Sequence, residues 1–319
     1  MSYRVAVVYL LAPLMAVAQQ PEEQDPERLF LQSQQWFLDG EYGPALHGFA
    51  TAWKEFARTR GEADPLTIDA RIFHGQLLTM SGHPNDAMTV LGPISQGSSR
   101  QAMIARGSFA MALRQAGQLD RATKILKGLI RTFPPGGQGN PVHLGRMHSE
   151  LAVCLAYTGH LREAETNARE ALRLLDQADH PHVSYRVSVN TILGQIYLLG
   201  NRNADAHRAL VKAKAEAQSY WNPRHPELAI LEGALGVAAF RAGRYEEAER
   251  QTRTALTATE KLLGPGHPEV GAIAQHLALV LKKQKRNDES REWAARARSI
   301  LERSRVEPKV SAWSWREVK

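Results

Sequence analysis

The residue types in this chain that could do chemistry are its histidines, its single cysteine, one glycine-rich run and some clustered carboxylates. Spacing decides what each can do. His-Pro recurs as His180-Pro181, His225-Pro226 and His267-Pro268, in steps of 45 and 42 residues. Imidazole is a common metal ligand and acid–base group near neutral pH, but a metal site needs several donors brought together. Histidines set one per segment suit the start of a helix instead, where proline's missing N–H is no loss. His143 and His148 stand five apart, off a common helical face, and no His-Glu-x-x-His occurs, so no metal site is expected. Cys154 is the only cysteine, which rules out an internal disulfide. Among Leu151, Val153 and Leu155 it reads as a small, inert apolar residue. The run Pro134-Pro135-Gly136-Gly137-Gln138-Gly139-Asn140 lacks both the Lys-Ser/Thr ending and the preceding strand of a phosphate cradle, and reads as a loop between helices. Glu246, Glu247 and Glu249 read as a solvated helix face balanced by Arg244 and Arg250. With no nucleophile elbow, triad spacing or dinucleotide fingerprint, neither catalysis nor a cofactor is expected.

These residues are carried by a repeating unit, of which Pro226–Pro268 is the clearest copy. Leu228–Arg241 and Tyr245–Leu263 each place small or aliphatic residues at i, i+3, i+4 and i+7, which predicts two amphipathic helices. Pro226 fits a first helical position, and Glu227 complements the positive end of the helix dipole. Gly243 turns the chain between the helices and Gly264 ends the second, both positions where glycine is favoured. The turn residue and a small residue five positions later recur together. The pairs are Gly40/Ala45, Gly82/Ala87, Gly117/Ala122, Gly159/Ala164, Asn201/Ala206, Gly243/Ala248 and Lys285/Ser290, in steps of 42 residues apart from one of 35. A second-helix alanine follows at Ala52, Ala171, Ala213, Ala255 and Ala297, replaced by Ile94 and Leu129 in two units. The first helix has its own small position, at Ser33, Gly75, Ala110, Ala152, Gly194, Gly236 and Ala278. Small residues at fixed places are what closely crossing helices require.

Leu235-Gly236, Gly243-Arg244-Tyr245-Glu246-Glu247-Ala248-Glu249 and Ala255-Leu256 resemble the tetratricopeptide repeat. The 42-residue step, with Leu263-Gly264-Pro265-Gly266-His267-Pro268 leading into the next unit, is similar to the longer kinesin-light-chain type. The resemblance covers residues 27–303. The early units are degenerate, with Gln32 where leucine is usual and Gly43-Pro44 in place of acids before Ala45. It implies an all-α, right-handed superhelical solenoid of about seven helix-turn-helix hairpins. It also implies that the first helices line a concave side that binds peptides. By register, the residues expected to face inward are Arg114, Arg146, Ser149, Thr191, Gln195, Arg241, Gln275 and Lys282. That set turns basic toward the C-terminus, which implies a partner with acidic character. The paired Lys and Asn arrangement of chaperone-tail-binding members is missing, so that specificity is not implied.

Around this solenoid, Met1–Ala18 reads as a secretory signal peptide. Arg4 starts it, Val5–Val17 is the apolar run, and Ala16-Val17-Ala18 is a small-x-small cleavage pattern. An uncleaved anchor is the other reading, though the run is short for a membrane span. Gln19–Pro26 is a polar tether. Trp36, Phe37, Phe49, Trp53 and Phe56 are expected in the core of the first unit. Residues 304–319 form a tail in which Trp313 and Trp315 read either as a plug over the last hairpin or as a docking peptide. The chain of 319 residues carries a net charge of +7, but its basic residues alternate with acids rather than forming a stripe, so nucleic acid is not the expected partner. The expectation is a non-catalytic, exported protein-interaction scaffold, periplasmic or extracellular and of bacterial source, with no stable membrane insertion after cleavage. The alternative is a structural component of a cell-envelope complex acting through its ends or convex face. Oligomeric state is not readable from these patterns.

Overall fold

The computed structural model describes residues 25–133, 141–178, 182–222 and 225–303. Those residues form fourteen α-helices: α1 (Pro26–Leu38), α2 (Tyr42–Arg60), α3 (Pro65–Met80), α4 (Pro84–Leu91), α5 (Arg100–Gln115), α6 (Leu119–Thr132), α7 (Pro141–Tyr157), α8 (Leu161–Asp176), α9 (Val183–Leu199), α10 (Asn203–Tyr220), α11 (Pro226–Arg241), α12 (Tyr245–Leu263), α13 (Pro268–Lys283) and α14 (Asn287–Arg303). They pair in order into seven antiparallel hairpins, and each second helix also packs on the first helix of the next hairpin. The result is the all-α solenoid that the repeat predicts. A 3₁₀ turn at Pro93–Ser95 fills the short 35-residue step. The expected signal peptide, residues 134–140, His180-Pro181 and the tail with Trp313 and Trp315 lie outside the described residues, as does most of the tether. Pro26 is not part of a tether but begins α1, and Asp25 caps that helix by accepting from the Glu27 N–H at 3.1 Å. No helix of the described residues is long and apolar enough to cross a membrane.

One turn geometry repeats through all seven hairpins. The residues predicted to turn the chain, Gly40, Gly82, Gly117, Gly159, Asn201, Gly243 and Lys285, all have positive φ, from 56° at Asn201 to 82° at Gly159. Each donates its N–H to the carbonyl three residues back, and the next residue donates to the carbonyl five back, as in Gly243 to Phe240 and Arg244 to Ala239. This is the Schellman closure of a helix, and it feeds directly into the second helix. Asn201 and Lys285 are the only non-glycine residues with positive φ among the described residues.

The small residues sit where the helices cross. Ala45, Ala87, Ala122, Ala164, Ala206 and Ala248 are fully buried. A Cβ placed on Gly75 would meet Leu91 Cγ at 2.5 Å, and one on Gly194 would meet Leu210 Cγ at 2.6 Å. Glycine in the first helix therefore makes room for a bulky residue sixteen positions on, in the second. First helices are sandwiched between neighbours and are apolar on most sides: residues 233–239 of α11 are buried without a break. In the first hairpin, Phe49 and Phe56 are fully buried and Phe30 packs edge-on to both, while Trp36, Phe37 and Trp53 are half-buried against that cluster. Cys154 is buried, and burial pushes its thiol up to about 11, as expected of an inert core cysteine.

Polar struts tie one hairpin to the next. Arg286 donates to both oxygens of Glu249 at 2.8 Å, and Arg253 donates to the same carboxylate at 2.8 Å. Burial raises the Glu249 carboxyl, and these hydrogen bonds outweigh it, holding the group below the usual carboxylate range. The same strut joins Arg202 to Glu165 at 2.7 Å two repeats earlier. Glu249 is thus not a solvated acid balanced by Arg244 and Arg250. It is an inter-hairpin bridge between Arg253 and Arg286.

Candidate functional site

The first helices also touch one another in succession, α3 to α5, α5 to α7, α7 to α9, α9 to α11 and α11 to α13. With second helices behind them, they are left one narrow accessible stripe each, and the stripes together line the inner face of the solenoid. On α7 the stripe is His143, Arg146, Glu150, Val153 and Tyr157, at helical spacing.

The centre of this face is positively charged. The Arg146 guanidinium lies over the Tyr185 ring of α9 at 5.3 Å from its centroid and has no acidic partner among the described residues. One turn earlier, burial pushes His143 down to about 4, and the nearby charges of Arg146, Arg100 and His182 add to the effect. His143 is therefore neutral near pH 7. Arg114 at the end of α5 donates from Nε to Glu150 at 2.8 Å, both side chains being largely buried, so this pair joins α5 to α7. A crevice between these two helices is lined by Ser108, Met111, His143, Arg146, Met147 and Glu150. Among the described residues no group of His, Cys, Asp and Glu is arranged to hold a metal ion.

The eight residues expected to face inward separate into three sets. Arg146, Gln195 and Gln275 lie half-exposed on first helices, and Lys282 is exposed near the end of α13. Arg114 and Arg241 are near the groove but engaged in structure, the first with Glu150 and the second through its Nη1 to Asn201 Oδ1 at 2.8 Å. Ser149 and Thr191 are buried, and their hydroxyls donate to the carbonyls of Arg146 and Val187 on their own helices. Each lies one position off the accessible stripe, beside Glu150 and Ile192. Tyr185, His143 and Arg100 were not singled out for the groove. Their signal was available: each falls within the first turn of a first helix, or at its third residue, in three consecutive repeats.

The two helix-start histidines act as read from the sequence. His225 Nδ1 accepts from the Glu227 N–H at 3.3 Å and His267 Nδ1 from the Glu269 N–H at 3.1 Å, capping α11 and α13.

A tetratricopeptide repeat family model matches residues 227–303. No curated protein matches the sequence. Among solved structures, a Rap protein complexed with Competence and Sporulation Factor is similar at 12% identity and a TM-score of 0.68, covering 89% of this chain and 79% of that one. Aspartyl phosphate phosphatase F from Bacillus subtilis is similar at 13% identity and a TM-score of 0.53, covering 91% of this chain and 78% of that one. A putative kinesin light chain from Podosopora anserina with nearly identical TPR-like repeats shares 18% identity at a TM-score of 0.48, over 65% of this chain and 97% of that one. Residues 227–303 match the tetratricopeptide repeat, and one turn geometry carried through seven stacked hairpins makes the described chain an all-α solenoid of tetratricopeptide-like hairpins.

Proposed function

We propose that this protein is a non-catalytic, exported scaffold that holds an acidic segment of another protein against the inner face of its first helices. The observation that carries the reading is Arg146, seated over Tyr185 without an acidic partner among the described residues and close to His143, which also feels Arg100 and His182. A cation held in place by an aromatic ring loses little freedom when a carboxylate docks on it, so the gain in affinity is retained. Gln195, Gln275 and Lys282 extend the surface toward the C-terminal hairpins. The Rap protein solved with Competence and Sporulation Factor is an instance of this fold in a complex. Export rests on Met1–Ala18, and N-terminal sequencing of the secreted chain is its check, with a start near Gln19 expected.

The binding reading is tested by selecting a random peptide library on the immobilised chain, residues 19–319. Enrichment of acidic sequences, lost with Arg146→Glu, is the expected result. Enrichment that ignores both peptide charge and Arg146→Glu would contradict the groove and favour assembly through the ends or convex face. Hydrolysis of an aspartyl-phosphate substrate by the purified chain would contradict the non-catalytic part.

A further inference from the structure

The solenoid touches itself after five hairpins. Asn222 Nδ2, just before the sixth hairpin, donates to the Asp39 carbonyl in the turn of the first at 3.3 Å. Beside that contact, burial raises the Tyr42 phenol and the nearby Glu227 charge raises it further, and His225 feels the charge of Asp39. One hairpin further along the same seam, Gly82 in the turn of the second packs on the start of the seventh. A Cβ there would lie 3.2 Å from His267 Nε2 and 3.8 Å from Pro268. The two histidines at this seam are the two that cap α11 and α13 through Nδ1. His225 is further fixed by stacking on Trp221, with centroids 4.1 Å apart and planes 2° from parallel.

A histidine that caps a helix through Nδ1 can do so only while that nitrogen is unprotonated. Protonation removes the acceptor and sets a positive charge at the positive end of the helix dipole. We propose that the contact between hairpins one and two and hairpins six and seven is a clasp that acid releases through protonation of His225 and His267. This goes beyond the binding reading and does not depend on it.

The groups that face these histidines set the sign. His225 faces Asp39 from the first hairpin, which favours its protonation; His267 faces the Ser81 backbone, which also favours it, and His83 from the second hairpin, which opposes it. Burial dominates both and pushes each down to about 4. Freed from the seam they return toward 6.5, so the closed form loses ground as pH falls below 6.5. Glu227 acts the other way: burial raises it to about 7, so its protonation favours closure and its charge opposes closure as pH rises. Two histidines against one carboxyl leave net opening between pH 7 and pH 5, by roughly tenfold in the open-to-closed ratio.

The test is a distance measurement between spin labels on Gly43→Cys and Gln218→Cys, with buried Cys154 left in place. The expected result is one short distance at pH 7 and a longer population at pH 5, with helical circular dichroism unchanged. His225→Asn with His267→Asn, which keeps a capping acceptor but cannot titrate, should remain closed at pH 5. Glu227→Gln should open more steeply, by roughly a further tenfold or more. An unchanged distance in the native chain at pH 5 would overturn the proposal. So would opening that persists in the double asparagine variant, or opening that coincides with loss of helix.

Discussion

At the scale of single residues, the fold rests on two steric demands repeated seven times: a left-handed turn and a small side chain at the crossing. Lys285 meets the first demand at a cost, since its φ of 64° crowds its Cβ against the following carbonyl. Lys285→Gly should therefore stabilise the last hairpin by about 0.5–1 kcal/mol, the left-handed strain relieved less the extra freedom of glycine in the unfolded chain. Chemical denaturation followed by α14 hydrogen exchange measures it; a loss of stability would contradict the turn assignment. The second demand is sharpest at Gly194, where an added methyl would press on Leu210. Gly194→Ala should destabilise by about 1–3 kcal/mol, and much of that loss should disappear when Leu210→Ala is added. Additive losses in the double variant would show that the two side chains do not share the space.

At the scale of helices, stability depends on what each first helix buries between its neighbours, and α13 buries a titratable group. His276 is fully buried, with Nδ1 3.1 Å from Thr252 Oγ1 of α12, and burial pushes it down to about 3. Its folded value lies below its free value, so its contribution is complete above pH 6.5 and is lost as pH falls toward 3. On the order of 2 kcal/mol should go between pH 7 and pH 5, read as faster hydrogen exchange in α12 and α13. His276→Asn should flatten that dependence, and an unchanged slope would place the acid sensitivity elsewhere. The hairpins themselves were legible in the sequence, with Tyr245–Leu263 matching α12 end to end, because turn glycines and crossing alanines answer to local sterics. The struts were not. Glu249 and Arg286 stand 37 residues apart, and nothing in their types separates a bridging pair from a solvated one. The groove was legible only in part: Arg146 was found by register, but Ser149 and Thr191 fall one position off the stripe. One position on a helix turns a side chain by more than a quarter of a circle, from the inner face into the packing.

At the scale of the whole chain, small rotations from hairpin to hairpin accumulate until the first turn meets the start of the sixth hairpin. No local pattern announces such a contact, because it joins Asp39 to Asn222 across 183 residues through the summed geometry of everything between. The same curvature gathers the stripes of successive first helices into one surface, and we propose that the charge centred on Arg146 gives that surface a preference for acidic segments. Arg146→Glu should weaken an acidic peptide selected on the native chain by at least about tenfold while leaving the denaturation midpoint close to native, since Arg146 makes no ion pair among the described residues. The central claim is that the inner face of the first helices is where a partner sits. The most direct measurement is hydrogen exchange by mass spectrometry with and without the selected peptide, resolved helix by helix. Protection concentrated on α5, α7 and α9 is the result this account predicts. Protection confined to α6, α8 and α10, or to the terminal α14, would contradict it.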